Sequence, residues 1–190
     1  QALALVKEMQ EGTDLGKLLG QGTEAVGEAL GVERVPIVKG QAISSFEPRN
    51  MKGMGVTFAT TPMGADHTAG ITAALGADGT EKGPQVSLSS QMQAMSAAAD
   101  NLMCLFGWFS LAGSNIMADV LEGIYGGEWD MNRVIGIGID TIKMEKEFNN
   151  GAGFTIEDDC LPEFFYTEKS PATGEVFNIT QKELAKIYEY

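Results

Sequence analysis

One histidine is the side chain of this sequence best suited to proton transfer. His67 is the only histidine among 190 residues and lies in the stretch GVTFATTPMGADHTAG, residues 55–70. An imidazole titrates near neutral pH, so His67 can donate or accept a proton during a reaction. The alternative is a histidine that is only hydrogen-bonded within a turn, and the residues alone leave both interpretations open. A metal site with several histidines is excluded within this chain, because no second imidazole is available.

The two cysteines are candidate metal ligands. Cys104 and Cys160 do not form a CxxC pair, which excludes zinc-ribbon and thioredoxin-like sites. Cys104, in the apolar stretch NLMCLF, is either a thiol buried within a helix or a thiolate ligand. A [4Fe–4S] cluster is usually held by four cysteines, so a cluster at Cys104 would need ligands from outside this chain. Acidic neighbours raise the pKa of a thiol, and we therefore expect Cys160 to be structural.

Other catalytic signatures are weak. GxGxxG, GxxxxGK[ST] and GxSxG do not occur, and the GIGID run that begins at Gly136 lies within a helical pattern. Carboxylates that lie close together in the sequence could act as acid–base pairs. The pairs Asp158–Asp159 and Glu145/Glu147 are predicted to be solvated rather than catalytic.

The charge balance restricts the classes of partner. The chain has 26 acidic and 13 basic residues, which gives a formal net charge of −13. Such a surface repels nucleic acid phosphates and anionic lipids, so we expect no nucleic acid partner and no membrane partner. No stretch is predicted to be a signal peptide or a membrane span. The low cysteine count favours a reducing, cytoplasmic location.

The elements that must position these residues are predicted to be helices. Hydrophobic spacing indicates a mainly α, multihelical fold with long irregular loops and little β structure. In the N-terminal part, one helix should end near Gly12 and a second should be capped by Thr13 or Asp14. A third should be capped by Thr23 and end at Gly31. Each of these boundaries is a local signal that does not depend on tertiary contacts.

The later part of the chain is predicted to contain longer helices. Residues 41–55 follow no regular pattern and are predicted to be irregular. The helices that follow are predicted from their N-terminal caps, at Ser89 or Ser90, Ser114, Asp130 and Thr180. The first of them should continue to about Leu111 and therefore contain Cys104.

Two helical regions are expected. Residues 1–88 would carry the GADH loop (Gly64–His67), and residues 89–190 would carry Cys104, either as two units or as one compact unit. On the helix after Ser114, hydrophobic spacing predicts one set of side chains that face inward, namely Ile116, Met117, Val120, Leu121 and Ile124.

Several stretches, in order, resemble the tungsten-containing aldehyde ferredoxin oxidoreductase family. Residues 38–70 contain VKG, FEPR, KG and GADH, where the family reads VKG, an aromatic–acidic–Pro–Arg step, KG and RGADH. NLMCLF resembles the family's D-x-x-G-L-C segment, and KEFNNGAGFTIEDDCLPEFF resembles its FN-x-REGF…DD-x-LPERF run. The order and spacing match along nearly the whole chain. The sequence is therefore identified as a C-terminal, helical portion of a member of this family.

The resemblance implies a redox enzyme of which this chain is one part. An N-terminal β-rich portion would hold much of a tungsten or molybdenum bis-pterin. An upstream cysteine triad would give three ligands of a [4Fe–4S] cluster, and Cys104 would give the fourth. His67 would assist proton transfer as an aldehyde becomes a carboxylate, and the cluster would pass electrons to ferredoxin. Both cofactors are expected only in the full-length protein. A homodimer is also expected, and we predict that His67 and Cys104 belong to one redox pocket.

The segment before Cys104 departs from the family pattern. By resemblance, Asp100, Leu102 and Met103 belong to the cofactor-binding segment. The family aspartate would fall at Ala99, and one residue along a helix turns a side chain by about 100°. Met63 also replaces the arginine of RGADH. These differences leave two alternatives open: a non-catalytic helical scaffold or partner-binding domain, and a reductase-type member of the family that acts on an acyl thioester.

Overall fold

Helices make up most of the chain, as the hydrophobic spacing predicts. The computed structural model describes residues 1–75, 79–111 and 113–189. Its α-helices are α1 Ala2–Glu11, α2 Asp14–Leu19, α3 Thr23–Leu30, α4 Lys52–Thr60, α5 Gln85–Leu102, α6 Leu105–Leu111, α7 Ile116–Tyr125, α8 Met131–Gly151, α9 Phe164–Thr167 and α10 Gln181–Leu184. Strands β1 (Ile37–Val38) and β2 (Gln41–Ala42) pair as an antiparallel hairpin, and 3₁₀ turns cover Thr72–Leu75, Ile156–Asp158 and Ala185–Tyr188.

Four helix boundaries confirm the capping signals in the sequence. Gly12 ends α1 in the left-handed conformation, with φ 65°. The side chains of Thr13 and Asp130 each accept a backbone N–H in the first turn of α2 and α8. Thr180 and Glu183 form both hydrogen bonds of a capping box at the start of α10.

Three predicted caps are wrong. Thr23 is the first residue of α3 rather than its cap. Ser89 and Ser90 both lie inside α5, which begins at Gln85. The buried Ser89 hydroxyl lies 2.8 Å from the Thr57 hydroxyl, and the Ser90 hydroxyl donates to the Ile187 carbonyl oxygen. Ser114 lies two residues before α7, and its hydroxyl donates to the Leu111 carbonyl. The serine hydroxyls therefore bond groups other than the free backbone N–H groups of a helix start, which their positions in the sequence had suggested.

The predicted long helix from about residue 89 to Leu111 is broken. α5 ends at Leu102, the backbone at Met103 is extended with φ −161°, and α6 begins at Leu105. Cys104 therefore lies in a break between two helices and not within one. Its carbonyl accepts hydrogen bonds from two backbone N–H groups of α6.

α4 begins inside residues 41–55, a segment that the sequence predicted to be irregular, and continues past its end. All nine of its residues are buried. A helix that is covered on every side has no polar face, so the hydrophobic periodicity that indicates a helix is missing. Gly53 and Gly55 also lower its intrinsic helix propensity. Tertiary packing, not local sequence, thus determines this helix.

Buried side chains form two clusters. The first surrounds α4 and joins residues from both ends of the chain: Val38, Met54, Val56, Phe58, Ala59, Ala65, Leu161, Phe165, Phe177, Ile179, Leu184 and Ile187. The second lies among α5, α6, α7 and α8: Ala98, Ala99, Trp108, Met117, Ala118, Leu121 and Val134. The loop that carries His67 leaves α4 directly from the first cluster.

The inward face predicted for α7 is only partly correct. Met117 and Leu121 are buried in the second cluster, as predicted. Ile116, Val120 and Ile124 are instead 40, 52 and 66% exposed. They lie four residues apart and form a separate stripe, because the packed face of α7 is centred on Met117 and Leu121.

α5 and α8 pack against each other at close range. A Cβ atom built on Gly138 would overlap the carbonyl oxygen of Ala94, so only glycine allows this approach. The GIGID run therefore lies within a helix, as predicted, and its second glycine serves helix packing. Within the described residues, none of the helices combines the length and apolar character needed to span a membrane.

Candidate functional site

A cleft of about 590 Å³ opens between three parts of the chain. One wall is the loop after α4, from Thr61 to Ala69, which includes part of the GADH loop. The second wall is the C-terminal half of α5, and the third is one face of α8 between Thr141 and Asn149. A cavity of this volume is in the range of small-molecule sites in proteins.

The apolar part of the lining includes three large and exposed side chains. Met63, Met144 and Phe148 are 60, 63 and 77% exposed. Large apolar side chains that remain exposed around a concave surface are typical of a ligand site. They give the cleft a wall that favours a compact apolar group.

Three carboxylates from three different elements also line the cleft. Asp66 comes from the GADH loop, Asp100 from α5 and Glu145 from α8. Burial raises the pKa of Asp100, and the charge of Asp66 adds to this effect. Burial also raises the pKa of Glu145, with the charge of Asp100 adding to it. Both side chains keep contact with water, which screens part of this repulsion.

His67 lies beside the cleft but is not among its lining residues. It is half-buried, with its ring centroid 6.0 Å from that of Phe46. Asp66 does not orient it: Asp66 Oδ1 instead accepts the backbone N–H of Thr68 at 2.8 Å and its hydroxyl at 2.7 Å. The loop thus presents a carboxylate to the cleft, with the imidazole next to it.

Cys104 is exposed, so the interpretation of a buried apolar thiol is wrong. Of the residues predicted around it, only Asp100 lines the cleft. Leu102 is 37% exposed, and Met103 packs against the second hydrophobic cluster. That His67 and Cys104 share one redox pocket stays a prediction, as do the roles of Asp100, Leu102, Met103 and Cys104.

Asp159 organises the base of the loop, and the prediction that the pair Asp158–Asp159 is solvated is wrong for it. The Asp159 side chain has 0% exposure, and its two oxygens lie 2.6 Å from Lys39 Nζ and 2.6 Å from Lys146 Nζ. The Tyr188 hydroxyl lies 2.8 Å from Asp159 Oδ2. These four residues, Asp159, Lys39, Lys146 and Tyr188, are called the Asp159 cluster below. Asp158 is exposed, as predicted, and caps a 3₁₀ turn.

The Asp159 cluster holds the end of α4 through three consecutive carbonyl groups. Lys39 Nζ donates to the carbonyl oxygens of Ala59 and Thr61, at 3.1 and 2.9 Å. The Tyr188 hydroxyl lies 2.9 Å from the carbonyl oxygen of Thr60. The last carbonyls of a helix have no partner within the helix and need donors from elsewhere. The cluster therefore fixes the point from which the loop with His67 departs.

The family comparison covers the entire chain. The family model described as aldehyde ferredoxin oxidoreductase, domains 2 & 3, matches residues 1–190. The chain belongs to this family. A search of curated proteins found no significant match.

The family stretches of this chain now have structural explanations. The turn of VKG brings Lys39 into the Asp159 cluster with φ 49°, and a Cβ on Gly64 of GADH would overlap the Val38 carbonyl oxygen. Arg49 makes a two-pronged ion pair with Glu47. Lys39 contacts the loop after α4, in which Gly64 lies, whereas Arg49 also donates to the Glu168 carbonyl oxygen at 3.1 Å. None of these residues lines the cleft.

Two further contacts join distant parts of the chain. Lys52 is 1% exposed and donates to the Thr80 carbonyl oxygen at 2.7 Å and to Glu175 at 3.0 Å. Asn149 of the FN step donates to the Pro62 carbonyl oxygen at 2.7 Å, which ties α8 to the loop. α8 thus holds the loop at one point and faces it across the cleft at others.

Single residues of this chain can each offer one contact to the family's cofactors, but the described residues do not form a complete cofactor site. Within the described residues, no group of three or more His, Cys, Asp or Glu side chains could hold a metal ion. The exposed thiol of Cys104 can supply one cluster ligand, and three more must come from other sequence. Asp100 offers carboxylate oxygens to N–H donors such as those of a pterin.

The contribution of α8 to the cleft was missed by sequence reasoning. Glu145 was predicted to be solvated, and Met144 and Phe148 were not predicted as site residues. A weak signal exists, since Thr141, Glu145 and Phe148 recur at helical spacing and share one face. That pattern looks like an ordinary solvated helix face until the loop after α4 is placed opposite to it.

Proposed function

We propose that the protein carrying this chain oxidises a small aldehyde to a carboxylate and passes the electrons to ferredoxin. The observation that carries the proposal is the family match over residues 1–190. The cleft beside His67 supports it, because it combines an apolar wall with titratable groups. The cofactors implied are a tungsten or molybdenum bis-pterin and a [4Fe–4S] cluster, and the location implied is cytoplasmic.

The reaction requires groups that handle protons. An aldehyde and one water give a carboxylate, three protons and two electrons. A bound metal–pterin supplies the two-electron chemistry, and the cluster transfers electrons one at a time. His67 is proposed to accept a proton at the edge of the cleft. Asp66, Asp100 and Glu145 provide further oxygens that can hold protons on their way to solvent.

The other predicted residues are proposed to contact the cofactors. Cys104 would be the fourth ligand of the cluster, and its exposed position leaves the thiol accessible. Asp100 would accept hydrogen bonds from the pterin at the wall of the cleft. Leu102 and Met103 would fix the backbone between them. Ferredoxin, the aldehyde and the N-terminal portion of the enzyme are the partners that this assignment implies, together with a homodimer.

The lining favours an aldehyde over an acyl thioester on a phosphorylated carrier. Such a carrier is anionic and is usually bound by Lys or Arg side chains. Among the cleft residues that the structure describes, none is Lys, Arg or His. The aldehyde assignment therefore agrees better with the charge of this site than the reductase-type alternative.

Metal analysis and turnover test the proposal together. The intact natural protein, prepared without oxygen, is expected to contain tungsten or molybdenum with about four irons per chain. It should reduce viologen in the presence of an aldehyde, and His67→Ala should lose most of this activity while it keeps its metals. A protein with neither metal would support the scaffold alternative. Full activity in His67→Ala would contradict the role of His67.

A further inference from the structure

We propose that the cleft discriminates by charge: it accepts a compact apolar molecule that is neutral or cationic and disfavours an anion. Glu145 is the residue that tests this specificity, because the proposed function assigns Asp100 to the pterin. That the discriminated molecules are aldehydes rests on the proposed function. The discrimination itself is a property of the cleft and can be measured without turnover.

The charged side chains that line the cleft all have the same sign. Asp66, Asp100 and Glu145 approach it from the loop, α5 and α8. The lining residues in the described part of the chain include no cation. Lys143 and Lys146 of α8 are not among the lining residues, and Lys146 Nζ lies 2.6 Å from Asp159 Oδ2, within the Asp159 cluster. A concave site lined by charges of one sign concentrates their field, so an anion is repelled from it.

The apolar wall sets the body of the ligand. Met63, Met144 and Phe148 are exposed around a volume of about 590 Å³. Burial of these surfaces against a ligand is favourable in proportion to the apolar area removed from water. An aromatic or short aliphatic group can pack against this wall. The carboxylates favour a ligand that carries no charge or a positive charge.

The discrimination has a consequence for the direction of the proposed reaction. The substrate aldehyde is neutral, whereas the product is a carboxylate at neutral pH. The same three carboxylates that tolerate the aldehyde repel the product. The cleft would therefore bind substrate more tightly than product, which favours product release.

Binding of three matched probes tests the charge discrimination directly. Benzyl alcohol, benzylammonium and benzoate share a ring and differ in charge. Met63 and Met144 line the cleft, so ¹³C-methyl methionine NMR of the intact protein reports on it, with assignments from Met→Leu variants. Benzyl alcohol and benzylammonium should shift these two signals saturably, and benzoate should bind several-fold more weakly. Benzoate binding as tight as benzyl alcohol, or no effect of any probe on either signal, would overturn the inference.

A charge-neutralising variant tests the role of Glu145. Glu145→Gln should tighten the binding of benzoate about 2- to 5-fold, weaken that of benzylammonium by a similar factor and leave that of benzyl alcohol unchanged. Glu147→Gln is the matched control, because Glu147 is an exposed residue of the same helix that does not line the cleft. An equal effect of Glu147→Gln would show that only the net charge of −13 repels anions, and would also overturn the inference.

A kinetic comparison separates this inference from the proposed function. In the loaded enzyme, kcat/KM for benzaldehyde should exceed that for 4-carboxybenzaldehyde, and Glu145→Gln should narrow the ratio several-fold. An unchanged ratio would contradict the role of Glu145. An enzyme without aldehyde oxidation would refute the proposed function, and the NMR titrations would still decide on the charge discrimination.

Discussion

Two sets of carboxylates lie on either side of α8, and their surroundings are opposite. Asp159 has 0% exposure and is contacted by two lysines and a tyrosine hydroxyl. Asp100 and Glu145 line an open cleft, and the charge of another carboxylate raises the pKa of each. Lys146 and Glu145 are adjacent in the sequence, yet one completes the buried cluster and the other faces the cleft, since consecutive helical side chains point about 100° apart.

The difference shows how to separate supporting residues from site residues. A buried carboxylate whose oxygens all meet donors contributes to the fold and has no capacity left for a ligand. A carboxylate held near others without a counter-ion costs stability, and such an arrangement is typical of a functional site. By this criterion the Asp159 cluster supports the loop with His67, and the cleft is the candidate ligand site.

Removal of the central carboxylate should give the largest effect. In Asp159→Ala, Lys39 and Lys146 would lose the counter-ion that they share. Lys39 is the more deeply buried, with its side chain 5% exposed. Removal of one partner of a buried ion pair typically costs about 3–5 kcal/mol. The free energy of unfolding from denaturant titration measures this loss. Asp158→Asn, at the exposed neighbour, should cost at most about 1 kcal/mol, and equal losses in both variants would contradict the assignment.

The contact between α5 and α8 that shapes the cleft should be the next most sensitive. Gly138→Ala would place a methyl group against the Ala94 carbonyl and force the helices apart, at a cost of about 1–3 kcal/mol. Gly136→Ala lies on the same helix and meets no atom within 4 Å. It should stabilise the protein by about 0.5–1 kcal/mol, because alanine is the better helix former. Thermal unfolding of the two variants measures both changes, and shifts in the same direction would refute this account.

Local signals predicted more of this fold than of its site. Thr13, Asp130 and Thr180 act within one helical turn, and each was identified correctly. α4 was missed because its neighbours cover every face and remove its periodicity. A fully buried helix gives a sequence pattern that local propensity cannot distinguish from an irregular segment.

The site depends on pairings between distant residues. The Asp159 cluster joins positions 39, 146, 159 and 188, and the cleft joins positions 66, 100 and 145. Neither set can be read from spacing in a single sequence. The order of the family stretches identified the family, as the match over residues 1–190 confirms. It did not show which of their residues support the loop and which line the cleft.

Glu183 is a carboxylate at the surface that accepts several hydrogen bonds, and its substitution should change stability less than the variants above. Hydrogen bonds from Lys82 and Thr180 lower the pKa of Glu183 to about 2. A lowered pKa in the folded state gives stability that is present above the ordinary pKa of a glutamate and is lost as the pH falls toward 2. Glu183→Gln should cost about 0.5–1 kcal/mol at pH 7 and almost nothing near pH 2. Urea titrations at several pH values measure the difference, and a constant difference would contradict the pKa.

The smallest effect is expected in the cleft, and its sign is opposite. Burial and a neighbouring carboxylate raise the pKa of Glu145, so its charge opposes folding once the pH exceeds this raised value. Glu145→Gln should therefore stabilise the protein at pH 7, by no more than about 0.5 kcal/mol because the side chain is exposed to water. The gain should vanish as the pH falls below the ordinary pKa of a glutamate, where Glu145 is protonated in both states. Glu147→Gln should show no such gain. Stabilisation by Glu145→Gln together with weaker repulsion of benzoate would show that the cleft maintains its charge at the expense of stability, whereas destabilisation would place Glu145 among the supporting residues with Asp159.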